Sequence, residues 1–320
     1  MAHVARTLFS ACLLSFLVAQ TTLSVLTLKY CFREGGVQFV SSEVILASET
    51  VKLCVCACTI SMSGGQHTLL HLFKDMRRQR WLAVPPALYI AQTHLLFHGA
   101  RYLSAVGFII CTQMKVCTTA IFSKLVLKTK LSTRQSLALM LLTCGVVLVQ
   151  MPNDTLDHLG NKRSDPYVTL INVLLVLLAT CMSGMASVLL ESIFKDSDVC
   201  VGPQDARAKQ TIWTINLQLS TLSILMTHIV YIVEERQVLS LQRVMRYDHA
   251  LWALILLQAI GGITVAFVMK YAGSILKCFA TSISTCICAI FSVWAGQEVQ
   301  TSTLNLGITL VNVAVFMYVS

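Results

Sequence analysis

Residues 103–127 read LSAVGFIICTQMKVCTTAIFSKLVL, with Lys115 near the middle of the run. A second run, GSILKCFATSISTCICAIFSVWAGQ at 273–297, carries Lys277 a little more than one turn after its start. Roughly 20 apolar residues suffice to cross a bilayer as a helix, so both runs predict membrane helices. A lysine inside such a helix costs about 3 kcal/mol on insertion scales, so an unpaired one is expected to face the protein interior. The two runs therefore predict cations directed at an anionic ligand.

The two lysines have similar sequence contexts and are separated by about half of the chain. KVCTT at 115–119 resembles KCFAT at 277–281, and the chain has 320 residues. This spacing suggests an internal duplication in which each half contributes one cation. Two alternatives stay open. Lys277, near a helix start, could extend to the lipid headgroups, and Lys115 could pair with a buried carboxylate such as Glu49.

The composition is that of a polytopic membrane protein. Hydrophobic residues make up 56% of the chain, charged residues 12%, and the mean hydropathy is +0.72, whereas a soluble domain has about 25% charged residues. The sequence predicts an all-α membrane protein that forms one transmembrane domain over residues 1–320. Ten transmembrane helices are expected, near 7–29, 38–61, 82–99, 103–127, 132–151, 167–190, 211–232, 249–270, 273–297 and 301–319.

Five predicted helices precede the polar loop at 152–166, and five follow it. An odd number of crossings per half makes the second half enter the membrane in the opposite direction, which predicts two inverted five-helix repeats, 1–151 and 167–320. Orientation follows from lysine and arginine in the loops. With the N-terminus in the cytosol, the cytosolic segments hold twelve of these residues and the opposite side holds eight. Both termini are therefore expected to be cytosolic.

Several functional classes are not expected from this sequence. The net charge of +9 is scattered over loops without aromatic platforms, which disfavours nucleic-acid binding. Cys54, Cys56 and Cys58 point to different sides of one helix, and His94 with His98 lacks a third ligand, so we expect no metal site and no cofactor. No nucleophile and base share a plausible cavity, so the chain is not expected to be an enzyme.

Uncharged polar side chains within the predicted spans are further candidates for a binding site. Their default role is hydrogen bonding between helices, and the alternative is recognition of a sugar or a base. Ser274 lies at a helix start, where free backbone N–H groups favour an anion. The candidate substrate-binding residues around the two lysines are Gln92, Phe108, Gln113, Thr119, Asn216 and Ser274.

Seven blocks of the sequence closely resemble the nucleotide-sugar transporter family, in the branch of the CMP-sialic acid, UDP-galactose and UDP-N-acetylglucosamine carriers. They follow the family's order from the first predicted helix to the ninth. The blocks are Gln20-Thr-Thr, Tyr89-Ile-Ala-Gln92, Gln113-Met-Lys115-Val-Cys-Thr-Thr-Ala-Ile-Phe-Ser123, Gly145-Val-Val-Leu-Val-Gln150, Glu191-Ser-Ile-Phe-Lys195, Asn216-Leu-Gln218-Leu and Lys270-Tyr-Ala-Gly-Ser-Ile-Leu-Lys277-Cys-Phe-Ala-Thr-Ser282.

The resemblance implies a ten-helix carrier of the drug/metabolite transporter fold in the Golgi membrane, with the endoplasmic reticulum as the alternative. Such carriers exchange a cytosolic nucleotide sugar for a lumenal nucleoside monophosphate. By this resemblance Lys115 and Lys277 bind phosphate and Asn216 contacts the nucleotide. UDP-galactose or UDP-N-acetylglucosamine is the expected cargo, while a CMP-sialic acid carrier and a non-transporting scaffold for glycosyltransferases are the alternatives. Expected partners also include membrane lipid, a second copy in a homodimer, and glycosyltransferases.

The chain differs from the pattern of this branch at three places. Thr93-His94 stands where the branch usually has Asn-Asn, Phe108 replaces a tyrosine, and Gly273-Ser274 replaces Asp-Asn. The Phe108 ring keeps an aromatic platform for stacking on the nucleotide but lacks the phenol hydroxyl.

Overall fold

The computed structural model describes residues 2–33, 41–62, 80–103, 105–151, 166–196, 212–235, 248–296 and 300–319. Within these residues the chain is helical. A 3₁₀ turn at Arg80–Ala83 leads into the third helix. The helices, named α1 to α11 in chain order, are Ala2–Arg33, Ser41–Met62, Val84–Tyr102, Ala105–Gln113, Lys115–Val126, Thr133–Val149, Pro166–Asp196, Ile212–Glu235, His249–Tyr271, Ser274–Trp294 and Ser302–Val319.

Polar residues mark the ends of several helices. Ser132 caps α6 in a capping box, in which its backbone N–H donates to the Gln135 side chain at 3.0 Å. The Asp248 carboxylate accepts from the His249 backbone N–H at 2.8 Å, at the start of α9. Between these ends the helices consist mostly of apolar residues, which suits them to lipid. A helix also pairs its backbone N–H and C=O groups internally, as a segment that crosses lipid requires.

The prediction of an all-helical membrane protein is confirmed for the described residues. Helices lie at all ten predicted apolar segments, and the fourth segment holds both α4 and α5. Among the described residues, seven stretches are long and apolar enough to cross a membrane, whereas α6 and α11 are shorter apolar helices. Residues 152–165 of the loop between the predicted repeats lie outside the described residues. The chain is a multi-pass membrane protein.

Contacts divide the chain into two compact units, each built from two separate segments. Unit 1 comprises Met1–Ala87 and Leu190–Gly273, and unit 2 comprises Leu88–Leu189 and Ser274–Ser320. Each unit therefore draws helices from both halves of the sequence. Lys115 and Lys277 both belong to unit 2.

In unit 1, α2 packs against α8 and α9, and α1 packs against α9. Val44 of α2 and the α9 residues Leu254 and Ile255 form part of one buried apolar cluster. Gly261 permits α1 to approach α9 closely, because a Cβ there would lie 2.4 Å from the side-chain nitrogen of Gln20. That nitrogen donates instead to the Leu257 backbone carbonyl at 2.8 Å.

In unit 2, α6 packs closely against α11. A Cβ on Gly307 would lie 2.7 Å from the Gly145 carbonyl oxygen and 2.8 Å from the Val149 backbone nitrogen. Small residues that allow such backbone contact are typical of packing between membrane helices. The helix α10 packs against α5 and α6, and Val116 and Ile275 belong to the same buried cluster. This packing brings the two lysine-bearing helices, α5 and α10, together.

Candidate functional site

The two lysines lie on helices that pack against each other within unit 2. Lys115 is the first residue of α5, and Lys277 is in the first turn of α10. Lys115 is exposed, Lys277 is half-buried, and their positive charges are near enough to interact. Like charges that lie near one another repel. An anionic ligand between them would relieve that repulsion.

Neither ammonium group has a carboxylate partner among the described residues. Glu49, the carboxylate considered as a structural partner for Lys115, pairs instead with Lys52 three residues further along α2, at 2.8 Å. Within the part of the chain that the structure describes, Lys115 and Lys277 remain available to a ligand.

Thr119 links the two lysine-bearing helices. Its hydroxyl donates to the Lys115 carbonyl oxygen at 2.7 Å and also shares a hydrogen bond with the Cys278 side chain of α10. The charges of both lysines act on Cys278. The structure thus brings Lys115, Thr119, Lys277 and Cys278 together. Cys278 is a residue that the sequence reasoning did not select, although its place directly after Lys277 could have indicated it.

The helix that carries Lys115 has one tightened turn directly before this lysine. α4 ends at Gln113, and the Met114 backbone N–H donates to Cys111 three residues earlier, at 3.2 Å, in place of a regular helical bond. Just after the lysine, α7 approaches α5 through Gly184, where a Cβ would lie 2.8 Å from the Thr119 backbone nitrogen. Met114 keeps helical dihedral angles, so the irregularity is one 3₁₀-type turn within a continuous helical span, Gly107–Val126.

The remaining candidates of unit 2 have different surroundings. Gln113 is buried and donates to the Gln150 side chain at 2.8 Å, a hydrogen bond between helices. The Gln92 side-chain oxygen is buried without a hydrogen-bond partner among the described residues. Ser274 is fully buried at the start of α10. Phe108 packs with an apolar cluster that includes Val176 of α7, so the described contacts do not bring it to the lysines.

Asn216 belongs to unit 1, where it is buried in α8. Its side-chain nitrogen donates to the Ile212 backbone carbonyl one turn earlier, at 3.1 Å. The next polar residues on this helix, Gln218 and Ser220, are fully buried, and their side-chain polar atoms have no partner among the described residues. A buried polar atom without a partner is costly. The segment of α8 from Asn216 to Ser220 is therefore a second group of buried polar side chains. The sequence analysis did not select Ser220 as a member of it.

The sequence reasoning also missed an ion pair inside the first membrane segments. Lys52 is buried in α2, and Gly262 of α9 makes room for it, since a Cβ there would lie 3.0 Å from the lysine side chain. The Glu-x-x-Lys spacing at Glu49 and Lys52 was the available signal, because residues three apart share one helix face. Among the described residues, no group of three or more His, Cys, Asp or Glu side chains is placed to hold a metal ion.

Comparison with known proteins agrees with the sequence blocks. The family model described as "Nucleotide-sugar transporter" matches residues 5–319. The UDP-N-acetylglucosamine transporter of Homo sapiens is 34% identical over 95% of this chain and 93% of that protein. The UDP-galactose transporter of Schizosaccharomyces pombe is 31% identical over 95% of this chain and 86% of that protein.

The fold also has a counterpart among solved structures. One crystal structure superimposes with a TM-score of 0.67 over 96% of this chain and 95% of that one, at 11% sequence identity. At this identity the likeness concerns the fold alone. The family match covers nearly the whole chain, and its members are transporters, not enzymes. Because the family model covers residues 5–319 and relatives at 34% identity span nearly the whole chain, this chain belongs to the nucleotide-sugar transporter family.

Proposed function

We propose that the protein carries a UDP-linked sugar, UDP-galactose or UDP-N-acetylglucosamine, and that Lys115 and Lys277 bind its phosphates. One observation carries the proposal: the two ammonium groups lie on packed helices and interact, with no carboxylate partner among the described residues. Thr119 adds a hydroxyl beside them. The names of the relatives, which refer to UDP-N-acetylglucosamine and UDP-galactose, support uridine as the base.

The charge of the two lysines also suits an exchange of cargo. A nucleotide diphosphate sugar carries about two negative charges, and a monophosphate carries nearly as many, because its second pKa is about 6. Two lysines balance either molecule. Empty, the site holds two like charges, which raises the barrier to reorientation without cargo. The proposed transport is therefore a one-for-one exchange of cytosolic nucleotide sugar for lumenal nucleoside monophosphate.

The proposed architecture is ten transmembrane helices in one domain, arranged as two inverted five-helix repeats, with both termini in the cytosol. The helices at all ten predicted segments and the excess of basic residues on the assigned cytosolic side support it. The Golgi membrane is the proposed location, where lumenal sugar transfer would consume the cargo and supply the monophosphate. A homodimer and association with glycosyltransferases belong to the same proposal.

Counterflow in proteoliposomes tests the transport proposal directly. Vesicles preloaded with UMP are offered labelled UDP-galactose, UDP-N-acetylglucosamine, CMP-sialic acid or GDP-mannose, and uptake is compared with that of empty vesicles. We expect the two UDP-sugars to enter faster when UMP is inside. An uptake rate that does not depend on internal UMP would contradict the exchange mechanism. Preferential uptake of CMP-sialic acid would change the assigned cargo to that sugar nucleotide. The absence of uptake of any nucleotide sugar would favour the scaffold alternative.

A further inference from the structure

A buried carboxylate lies against the junction that precedes the Lys277 helix. Glu191 of α7 is 4% exposed, and a Cβ on Gly273 would lie 2.8 Å from its Oε1 atom. Lys195, one turn further along α7, donates to the same oxygen and forms an ion pair with it. A buried carboxylate that is paired in this way is held in one place. The carboxylate therefore occupies the space next to Gly273 that a side chain on this residue would need.

Gly273 has a conformation that suits only glycine well. Its φ is +93°, in a region that side chains with a Cβ rarely adopt. The backbone N–H groups of Ala272 and Gly273 both donate to the Val268 carbonyl oxygen at 2.8 Å, which ends α9. α10 begins at the next residue, and Lys277 is its fourth residue. Gly273 is therefore the residue at which the chain turns from α9 into α10.

Glu191 and Gly273 each lie near a point where the chain leaves one unit and enters the other. One passage follows Leu189, two residues before Glu191, and another follows Gly273 itself. Both residues of the contact belong to unit 1, whereas Lys277 belongs to unit 2. The contact between Glu191 and Gly273 therefore holds the last residue before the chain enters the unit that carries the lysines.

We propose that Glu191 is a positioning residue for Lys277: its carboxylate, held by Lys195 and seated against Gly273, sets the start of α10 and hence the place of the Lys277 ammonium group. This inference rests on the proposed function, since it assigns Glu191 a role in nucleotide binding through Lys277. Glu191 itself touches no ligand. Its loss moves the cation and leaves the chemistry of the ligand contacts unchanged.

The test measures UMP affinity of the purified full-length protein by calorimetry for four proteins: wild type, Glu191→Ala, Lys277→Ala and the double variant. We expect Glu191→Ala to weaken UMP binding by roughly tenfold, within the range found for residues that act through one another. In the Lys277→Ala background, the same change should have no further effect. Glu191→Gln keeps the shape of the side chain and removes the ion pair, so it should give an intermediate loss of UMP affinity. This variant replaces Glu191→Ala in the test if the alanine variant does not fold.

Glu43, another fully buried carboxylate of unit 1, provides the matched control. Glu43→Gln should lower the melting temperature without changing UMP affinity. Unchanged affinity in Glu191→Ala, or an equal loss in both Lys277 backgrounds, would overturn the positioning role. If Lys277→Ala itself binds UMP normally, the phosphate role of Lys277 fails together with this inference, and this outcome identifies the proposed function as the source of the error.

Discussion

The side-chain nitrogen of Gln113 donates a hydrogen bond to the side-chain oxygen of Gln150 over 2.8 Å, joining the end of α4 to the end of α6. Such bonds between membrane helices contribute about 0.6 kcal/mol on average. We expect Gln113→Ala and Gln150→Ala each to lower the stability by about that amount. Because both changes remove the same bond, the double variant should lose little more than either single variant. Thermal unfolding in detergent measures this, and fully additive losses would show that the two amides act separately.

Replacement of Lys115 or Lys277 by alanine should abolish nucleotide-sugar exchange and leave the protein inserted in the membrane. Each change removes a phosphate counter-charge together with a costly ion. Lys124→Ala is the matched control, because Lys124 is an exposed lysine of the same helix as Lys115. Counterflow in proteoliposomes with equal amounts of protein measures the effect. Near-normal uptake by Lys115→Ala would contradict the site assignment.

Gly307→Ala should destabilise unit 2 by about 1–3 kcal/mol, the usual cost of overpacking. The new methyl would meet the Gly145 carbonyl and the Val149 backbone nitrogen, and backbone atoms cannot move aside as side chains do. Leu306→Ala, on the exposed neighbour, should change stability far less. Melting temperatures of the two variants give the comparison. Equal losses would mean that the glycine contact has no special role.

Tyr231→Phe should cost about 1–3 kcal/mol of stability. The Tyr231 hydroxyl donates to Glu43 at 3.0 Å, and both side chains are almost completely buried, so the carboxylate cannot turn to water for a replacement donor. Tyr89→Phe serves as the control, since its hydroxyl bonds to Ser187 at 3.1 Å in a partly exposed position. A loss of stability in Tyr89→Phe as large as that in Tyr231→Phe would show that burial of the hydrogen bond does not explain the effect.

UDP and UMP should compete for transport better than GMP, since the cargo is proposed to be a uridine-linked sugar. Phe108→Tyr should alter nucleotide affinity by several-fold at most, because one hydrogen bond contributes about 1 kcal/mol net. The ring packs with Cys111 and Val176, so the variant is also expected to lose some stability. Competition by unlabelled nucleotides measures the first effect. Preference for guanosine nucleotides would contradict the pyrimidine assignment.

The lengths of the apolar runs were sufficient to place the helices. The run at 167–190, for example, is observed as Pro166–Asp196, which is longer because the segment ESIFKD at 191–196 continues the helix beyond the predicted end. The tightened turn at Met114 was not predicted, because it involves one displaced backbone hydrogen bond and leaves the apolar pattern unchanged. Apolar periodicity reports which residues avoid water, not which hydrogen bonds they make.

The lysines were identified because a charge in an apolar run is conspicuous. The approach of α5 to α10 was suggested only by the similar contexts of Lys115 and Lys277, and the structure shows it. The contact of Glu191 with Gly273 had no local signal, since the two residues are 82 positions apart in the sequence. Contacts of this kind depend on which helices pack together, and neither hydropathy nor spacing contains that information.

The division of each unit into two distant segments has a consequence for biosynthesis. α1 packs against α9, which begins at His249, so the first helix enters the membrane long before its partner exists. At roughly 5–20 residues per second, about 10 to 40 s of translation separate them. During that interval α1 and α2 expose faces meant for α8 and α9. Until the ribosome has passed residue 271, those faces therefore contact lipid or another membrane protein instead of their final partner helices.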